Sequence, residues 1–219
     1  APEAMTEADI ERAIDQFAHA AALAVEAGFD GVELHGANGY LIDQFFDAGA
    51  NQRTDQWGGS VPNRIRFALA VAERAAGRIG PERVGIRVSP FGAFNGMVGD
   101  DDTEALHGSL ARALSELQLA YMHIVDHSSM GAPAVPASTK QTIREGFRGT
   151  VILSGGYDRE RAEADLAEGR GDLVAFGRPF LANPRLVTKL RNGSPLASPS
   201  FATFYTPGPE GYTDYPVDA

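Results

Sequence analysis

Cysteine is absent from the 219 residues of this protein. That excludes disulfides, thiolate nucleophiles and zinc–sulfur sites, and it fits a cytoplasmic setting. Basic excess is absent too. The net charge is −10, which argues against a nucleic-acid-binding face, although a single arginine can still hold a phosphate in an acidic chain. No apolar run approaches the length of a membrane span. The start, Ala1 to Met5, is neither basic nor apolar, so no signal peptide is expected there. Position 1 is not methionine, so this numbering can begin inside a longer chain.

What is present is enough apolar sequence for a sizeable core, 43% of residues, laid out as regular alternation. Thr6 and Asp9 form a capping-box pattern. Ile10, Ala13, Ile14, Phe17, Ala21 and Ala24 then repeat at helical spacing until Gly28. Strands are predicted at Phe29 to Leu34, Val84 to Ser89, Tyr121 to Asp126, Val151 to Ser154 and Leu173 to Phe176. Helices are predicted from Ser60 to Arg78, Thr103 to Gln118 and Thr139 to Glu145. A further helix is capped by Asp158 and ended by Gly169, and a last one is capped by Asn183 with Pro184 in its first turn. Residues 193–219 read as an irregular tail packing near the active site.

Short apolar strands alternating with helices imply a parallel sheet covered by helices. Polar and glycine residues follow every strand: His35 and Asn38, Ser89-Pro90, Asp126-His127, Gly155-Gly156 and Gly177-Arg178. Function spread over the carboxyl ends of several strands is the habit of the TIM (β/α)8 barrel. A doubly wound sheet gathers its ligand contacts at one switch point, and no G-x-G-x-x-G turn follows the first strand. A complete barrel takes roughly 250 residues. Residues 1–192 supply five strand–helix units of the eight, so either further units precede Ala1, or a second chain completes the barrel, or the fold is partial.

Three groups of residues carry chemistry. His35 and Asn38 offer N–H donors that can converge on one oxygen and stabilise charge developing there, and the Tyr40 phenol can supply a proton. Read blandly, His35 is a hydrogen-bonded core histidine. Arg87 lies inside an apolar strand, where it needs either an ion pair with Glu33 or the polar edge of a cofactor. Gly155, Gly156, Gly177 and Arg178 close two consecutive strands, the place where barrels often bind phosphate through backbone N–H groups and a forked cation. His123, Asp126 and His127 have the wrong spacing for a metal site. Asp100 to Asp102 reads as a solvated turn before a helix.

The run His35-Gly-Ala-Asn-Gly-Tyr-Leu-Ile-Asp-Gln-Phe45, then Asn51 to Asp55, Gly58 to Ser60 and Asn63-Arg64, closely resembles the Old Yellow Enzyme family of flavin mononucleotide-dependent ene-reductases. The likeness continues through Gly85 to Pro90, Ser154 to Tyr157, Leu173 to Phe180, Ala182 to Pro184, Thr203 to Tyr205 and Gly211 to Pro216. The nearest likeness is to the bacterial N-ethylmaleimide and xenobiotic reductase branch. Trp57 stands where a tyrosine is more usual.

This resemblance implies strands four to eight of the barrel, FMN as cofactor and NADPH or NADH as reductant. Activated alkenes or nitro compounds would be the substrates. It implies that His35 and Asn38 bind the substrate oxygen, that Tyr40 protonates the α-carbon and that Tyr205 lines the pocket. Arg87 would meet the flavin's pyrimidine edge, and Gly155, Gly156, Gly177 and Arg178 its phosphate. Two alternatives remain. One is a catalytically silent partial barrel serving assembly. The other is a dienoyl-CoA reductase-like relative, against which the lack of cluster-binding cysteines argues.

Overall fold

The computed structural model describes residues 3–217. Five parallel strands form one sheet in sequential order: β1 (Val32–Gly36), β2 (Val84–Val88), β3 (Tyr121–Val125), β4 (Thr150–Ser154) and β5 (Leu173–Ala175). Such an arrangement of sequential parallel neighbours is part of a (β/α)8 barrel. The helices are α1 (Glu7–Glu26), α2 (Leu41–Phe46), α3 (Val61–Arg64), α4 (Arg66–Ile79), α5 (Thr103–Glu116), α6 (Ala137–Gly146), α7 (Arg159–Ala167), α8 (Arg178–Ala182) and α9 (Leu186–Asn192).

The helix-facing side of the sheet is the core. Leu34, Ile86, Val88, Met122, Ile124, Val151 and Leu153 are buried beneath α1, α4 and α5, which contribute Ile10, Ile14, Phe67, Val71, Leu110 and Leu114. Alternate residues point to the other face, the barrel interior. Pairing aligns His35 with Arg87, Arg87 with His123 and His123 with Ile152, so these side chains form one interior layer. One register step below, a Cβ on Gly85 would strike the Tyr121 ring. Glycine there is what lets the aromatic side chain lie across the strand.

The Thr6–Asp9 capping box is present and starts α1 as the sequence predicts. Three elements differ from the prediction. β1 begins three residues later than predicted, because Phe29 is 66% exposed and lies outside the sheet. The helix predicted from Ser60 to Arg78 is two helices divided at Ile65. The last helix starts at Leu186, not after an Asn183 cap. Asn183 instead ends α8 and ties down the tail: its side chain donates to the Ala197 carbonyl at 2.9 Å and accepts from the Ala197 N–H at 2.9 Å.

Asp100 to Asp102 form the turn before α5 that the sequence predicts, with Asp101 and Asp102 exposed, and the turn also carries ion pairs. The guanidinium of Arg64, 1% exposed, bonds Asp100, Asp102 and, at 2.8 Å, the Phe46 carbonyl. No helix among the described residues is long and apolar enough to cross a membrane.

Candidate active site

The loop after β1 is built around Asn38, whose backbone sits in the left-handed region at φ 62°. Asparagine tolerates this conformation better than most residues. Four contacts hold the turn. The Asn38 N–H donates to Ser89 Oγ at 2.9 Å, and the Asn38 carbonyl accepts from Asn95 Nδ2 at 2.8 Å. The Gly39 N–H donates to Asp43 Oδ2 at 2.8 Å, and Ser89 Oγ lies 3.3 Å from the same carboxylate oxygen. Asp43 sits on α2, only 7% exposed. Burial pushes its carboxyl up to about 6, against the opposing effect of the Gly39 and Ser89 hydrogen bonds.

The side chain of Asn38 is fixed separately. His127 Nε2 is 2.6 Å from Asn38 Oδ1. An amide oxygen only accepts, so Nε2 carries the proton. Burial, then the positive charges of Arg87 and Arg178, push the His127 imidazole down, while Asp126 works the other way. It is therefore neutral at pH 7 and donates from Nε2. With the Asn38 oxygen occupied, its Nδ2 group has no hydrogen-bond partner among the described residues. Phe94 packs against the His127 ring at 4.7 Å.

His35 is in β1 on the interior face. Burial first, and then Arg87, push its imidazole down, while Glu33 works the other way. Its ring stands 5.0 Å from the Tyr40 ring. Tyr40 precedes α2 and is 55% exposed. The structure thus gathers His35, Asn38 and Tyr40 at the mouth of the interior and adds His127.

Sequence reasoning weighed His127 only as a metal ligand. The signal it missed is positional. His127 lies two residues beyond the end of β3, just as Asn38 lies two beyond the end of β1, and equivalent positions after barrel strands converge.

Arg87 projects into the same interior. The ion pair with Glu33 weighed from sequence is replaced. Glu33 bonds His123 Nδ1 at 2.9 Å, and His123 Nε2 is 2.8 Å from Ser154 Oγ. Burial works to raise the Glu33 carboxyl, but His123, Tyr121 and the charge of Arg87 together outweigh it and hold the group below its usual range. Arg87 Nε is buried without any hydrogen-bond partner. Leaving a guanidinium N–H unmet typically costs more than 1 kcal/mol. An acceptor-rich planar ring edge would supply what it lacks, so the residue fits the polar edge of a flavin.

Gly155 and Gly156 both have positive φ, 104° and 64°. A Cβ on Gly155 would run into the Asp126 carbonyl, so the turn can close only on glycine. Gly177 has open space around it, and Arg178 beside it lies 5.6 Å above the Phe201 ring. Tyr205 is 98% exposed, and its ring contact is with Phe204 at 6.4 Å. The tail therefore approaches Arg178 through Phe201, while Tyr205 stands out in solvent.

The model of the NADH:flavin oxidoreductase / NADH oxidase family matches residues 1–197. The chain belongs to this family. The Old Yellow Enzyme resemblance drawn from the His35 to Phe45 run is thereby borne out.

Among similar proteins, 12-oxophytodienoate reductase 2 of Arabidopsis thaliana is 45% identical over 98% of this chain and 58% of its own length. A probable flavin mononucleotide-dependent alkene reductase of Leishmania infantum is 42% identical over 98% and 58%. The structure of morphinone reductase superposes with a TM-score of 0.93 at 43% identity, covering 99% of this chain and 58% of that one. The chain thus spans under two thirds of the length of these relatives.

Proposed function

We propose that the protein is an FMN-dependent reductase of activated C=C bonds in enones and maleimides, and of nitro compounds, with NADPH or NADH as reductant. The observation that carries this reading is the Asn38 amide, fixed by His127 so that its donor group stays free beside His35 and Tyr40.

The unpartnered Nε of Arg87 would meet the flavin's pyrimidine edge. Gly155, Gly156, Gly177 and Arg178 would hold its phosphate. The chemistry that the flavin supplies when bound is hydride transfer, from reduced nicotinamide to the β-carbon of the alkene. This chain's residues do the rest. His35 and the Asn38 amide donate to the substrate oxygen, where negative charge builds as the β-carbon gains its hydride, and donors already in place lower that barrier. Tyr40 then gives its phenolic proton to the α-carbon, completing the saturated product. In a closed barrel the tail from residue 193 to 217 would border the substrate with Tyr205.

Support for the reductant includes a morphinone reductase structure solved with tetrahydroNAD, 43% identical to this chain. The test is the Tyr40→Phe variant followed through both half-reactions with 2-cyclohexenone. Alkene reduction should slow at least tenfold, while flavin reduction by NADPH or NADH keeps its rate. Equal slowing of both removes Tyr40 from this role.

A second reading rests on the sheet edges. β1 and β5 each have a strand neighbour on one side only among the described residues, and Leu173 at the β5 edge is 54% exposed. Open edges seek partners. The remaining length seen in relatives, or a second chain, would close the barrel. A protein that forms a defined complex but shows neither flavin absorbance nor turnover would be an assembly module instead.

A further inference from the structure

A buried ionic cluster lies directly behind the Gly155–Gly156 turn. Asp126, 1% exposed, accepts from Arg161 Nη2 at 2.8 Å, and Lys140 Nζ stands 3.7 Å from the same carboxylate oxygen. Burial works to raise Asp126, but the Ser128 hydrogen bonds, Arg161 and Lys140 outweigh it and keep it a carboxylate. The Arg161 guanidinium also lies 4.3 Å from the centre of the Tyr157 ring. Tyr157 is held in turn by Asp165 at 2.6 Å and by Lys140 at 3.3 Å. Arg161 thus has its inner edge locked in place, while a third of its side chain remains open to solvent.

The other terminal nitrogen, Nη1, donates to the Gly155 carbonyl at 3.2 Å. That bond has a consequence at the next residue. The carbonyl of Gly155 and the N–H of Gly156 belong to one planar trans peptide unit and point in opposite directions. Holding the carbonyl on Arg161 therefore aims the Gly156 N–H away from the cluster. This N–H has no hydrogen-bond partner among the described residues. A Cβ on Gly156 would sit 3.9 Å from Arg161 Nη1, so the cation lies close to the donor it aims.

We infer that Arg161 is a positioning residue for the phosphate of the flavin: by holding the Gly155 carbonyl it presents the Gly156 N–H to the anion, and so gives the site its preference for a phosphorylated flavin. The inference rests on the FMN reading above. It adds a residue outside the Gly-Gly and Gly-Arg turns and makes the Asp126–Lys140–Tyr157–Asp165 cluster the support that keeps Arg161 in place.

Binding of FMN and of riboflavin, titrated separately by flavin fluorescence against the full-length protein, tests this. In Arg161→Ala the FMN dissociation constant should rise about tenfold, or ~1.4 kcal/mol, while that for riboflavin stays within about twofold. Arg161→Lys keeps a charge but loses the forked geometry and should fall between the two. Riboflavin binding reports whether each variant folds, and if the alanine variant binds neither flavin, the FMN-to-riboflavin ratio in the lysine variant decides. An unchanged ratio overturns the role of Arg161 and leaves the FMN reading standing. A wild-type protein that binds both flavins equally overturns the phosphate site and this inference together.

Discussion

Asp43 Oδ2 accepts the Gly39 N–H at 2.8 Å, so a carboxylate buried on one side of the barrel wall holds the loop that presents Asn38 on the other. The cost of that arrangement titrates. The carboxyl is raised from 3.8 to about 6 in the folded protein. Between those values the folded state holds a proton that the unfolded state has lost, so this group's contribution to stability falls as pH rises from about 4 to 6. The ionised form is then disfavoured by about 3 kcal/mol at neutral pH. Asp43→Asn keeps an oxygen acceptor for Gly39 and cannot ionise. Urea unfolding should show the asparagine variant gaining about 3 kcal/mol on the wild type between pH 4 and 7. Parallel curves would show that the carboxyl titrates normally.

His107 produces the opposite trend from the same cavity. It and Asp43 both line a cavity of about 30 Å³. His107 Nδ1 bonds the Thr103 carbonyl at 2.8 Å, and its Nε2 has no partner. Burial pushes the imidazole down from 6.5 to about 4, against the Thr103 bond and Asp100. Here the unfolded state binds the extra proton, so stability is full above pH 6.5 and about 3 kcal/mol is lost as pH falls to 4. The two groups nearly cancel across pH 4 to 6. His107→Phe should therefore make stability decline with rising pH in this range, by unmasking Asp43. In Asp43→Asn stability should rise with pH over the same range. A single variant with the wild-type profile would show that this balance is absent.

Arg64 tests the ion-pair turn. Removing one partner of a buried charged contact typically costs 3–5 kcal/mol. Asp102 is 60% exposed and contributes little of that. Most of the effect comes from Asp100 and the Phe46 carbonyl, both bonded to the guanidinium of this buried residue. Arg64→Ala should lose about 3 kcal/mol in urea unfolding, and Arg64→Lys somewhat less. A loss under about 1 kcal/mol would put this turn with ordinary surface ion pairs.

What the sequence revealed, and what it hid, follows the range of each interaction. The α1 start was legible because Thr6 and Asp9 are three residues apart and satisfy each other. β2 to β5 were legible as short apolar runs. β1 was misplaced because its interior positions, Glu33 and His35, are polar and exposed Phe29 is not, so apolarity pointed to the wrong end. The burial of Arg64 depends on Asp100 and Asp102, 36 and 38 residues on. The pairing of His127 with Asn38 spans 89 residues. Periodicity carries no record of such partners.

That long-range pair gives the prediction closest to catalysis. On the proposed function, Asn38 would serve a substrate oxygen only while its own oxygen is held elsewhere, because a free amide rotates between donor and acceptor orientations. His127 is the group that holds it, at 2.6 Å, and does so as a neutral donor because burial and two arginines keep its imidazole down. His127→Ala should therefore lower the rate of enone reduction by about tenfold to a hundredfold, the range seen for supporting partners of a functional ligand. His127→Gln places an amide donor near the same point and should recover part of that loss. Flavin absorbance should be unchanged in both. Reduction of 2-cyclohexenone measured in single turnover separates the outcomes. If alanine and glutamine lose the same amount, the space filled against Phe94 matters, and the hydrogen bond to Asn38 does not.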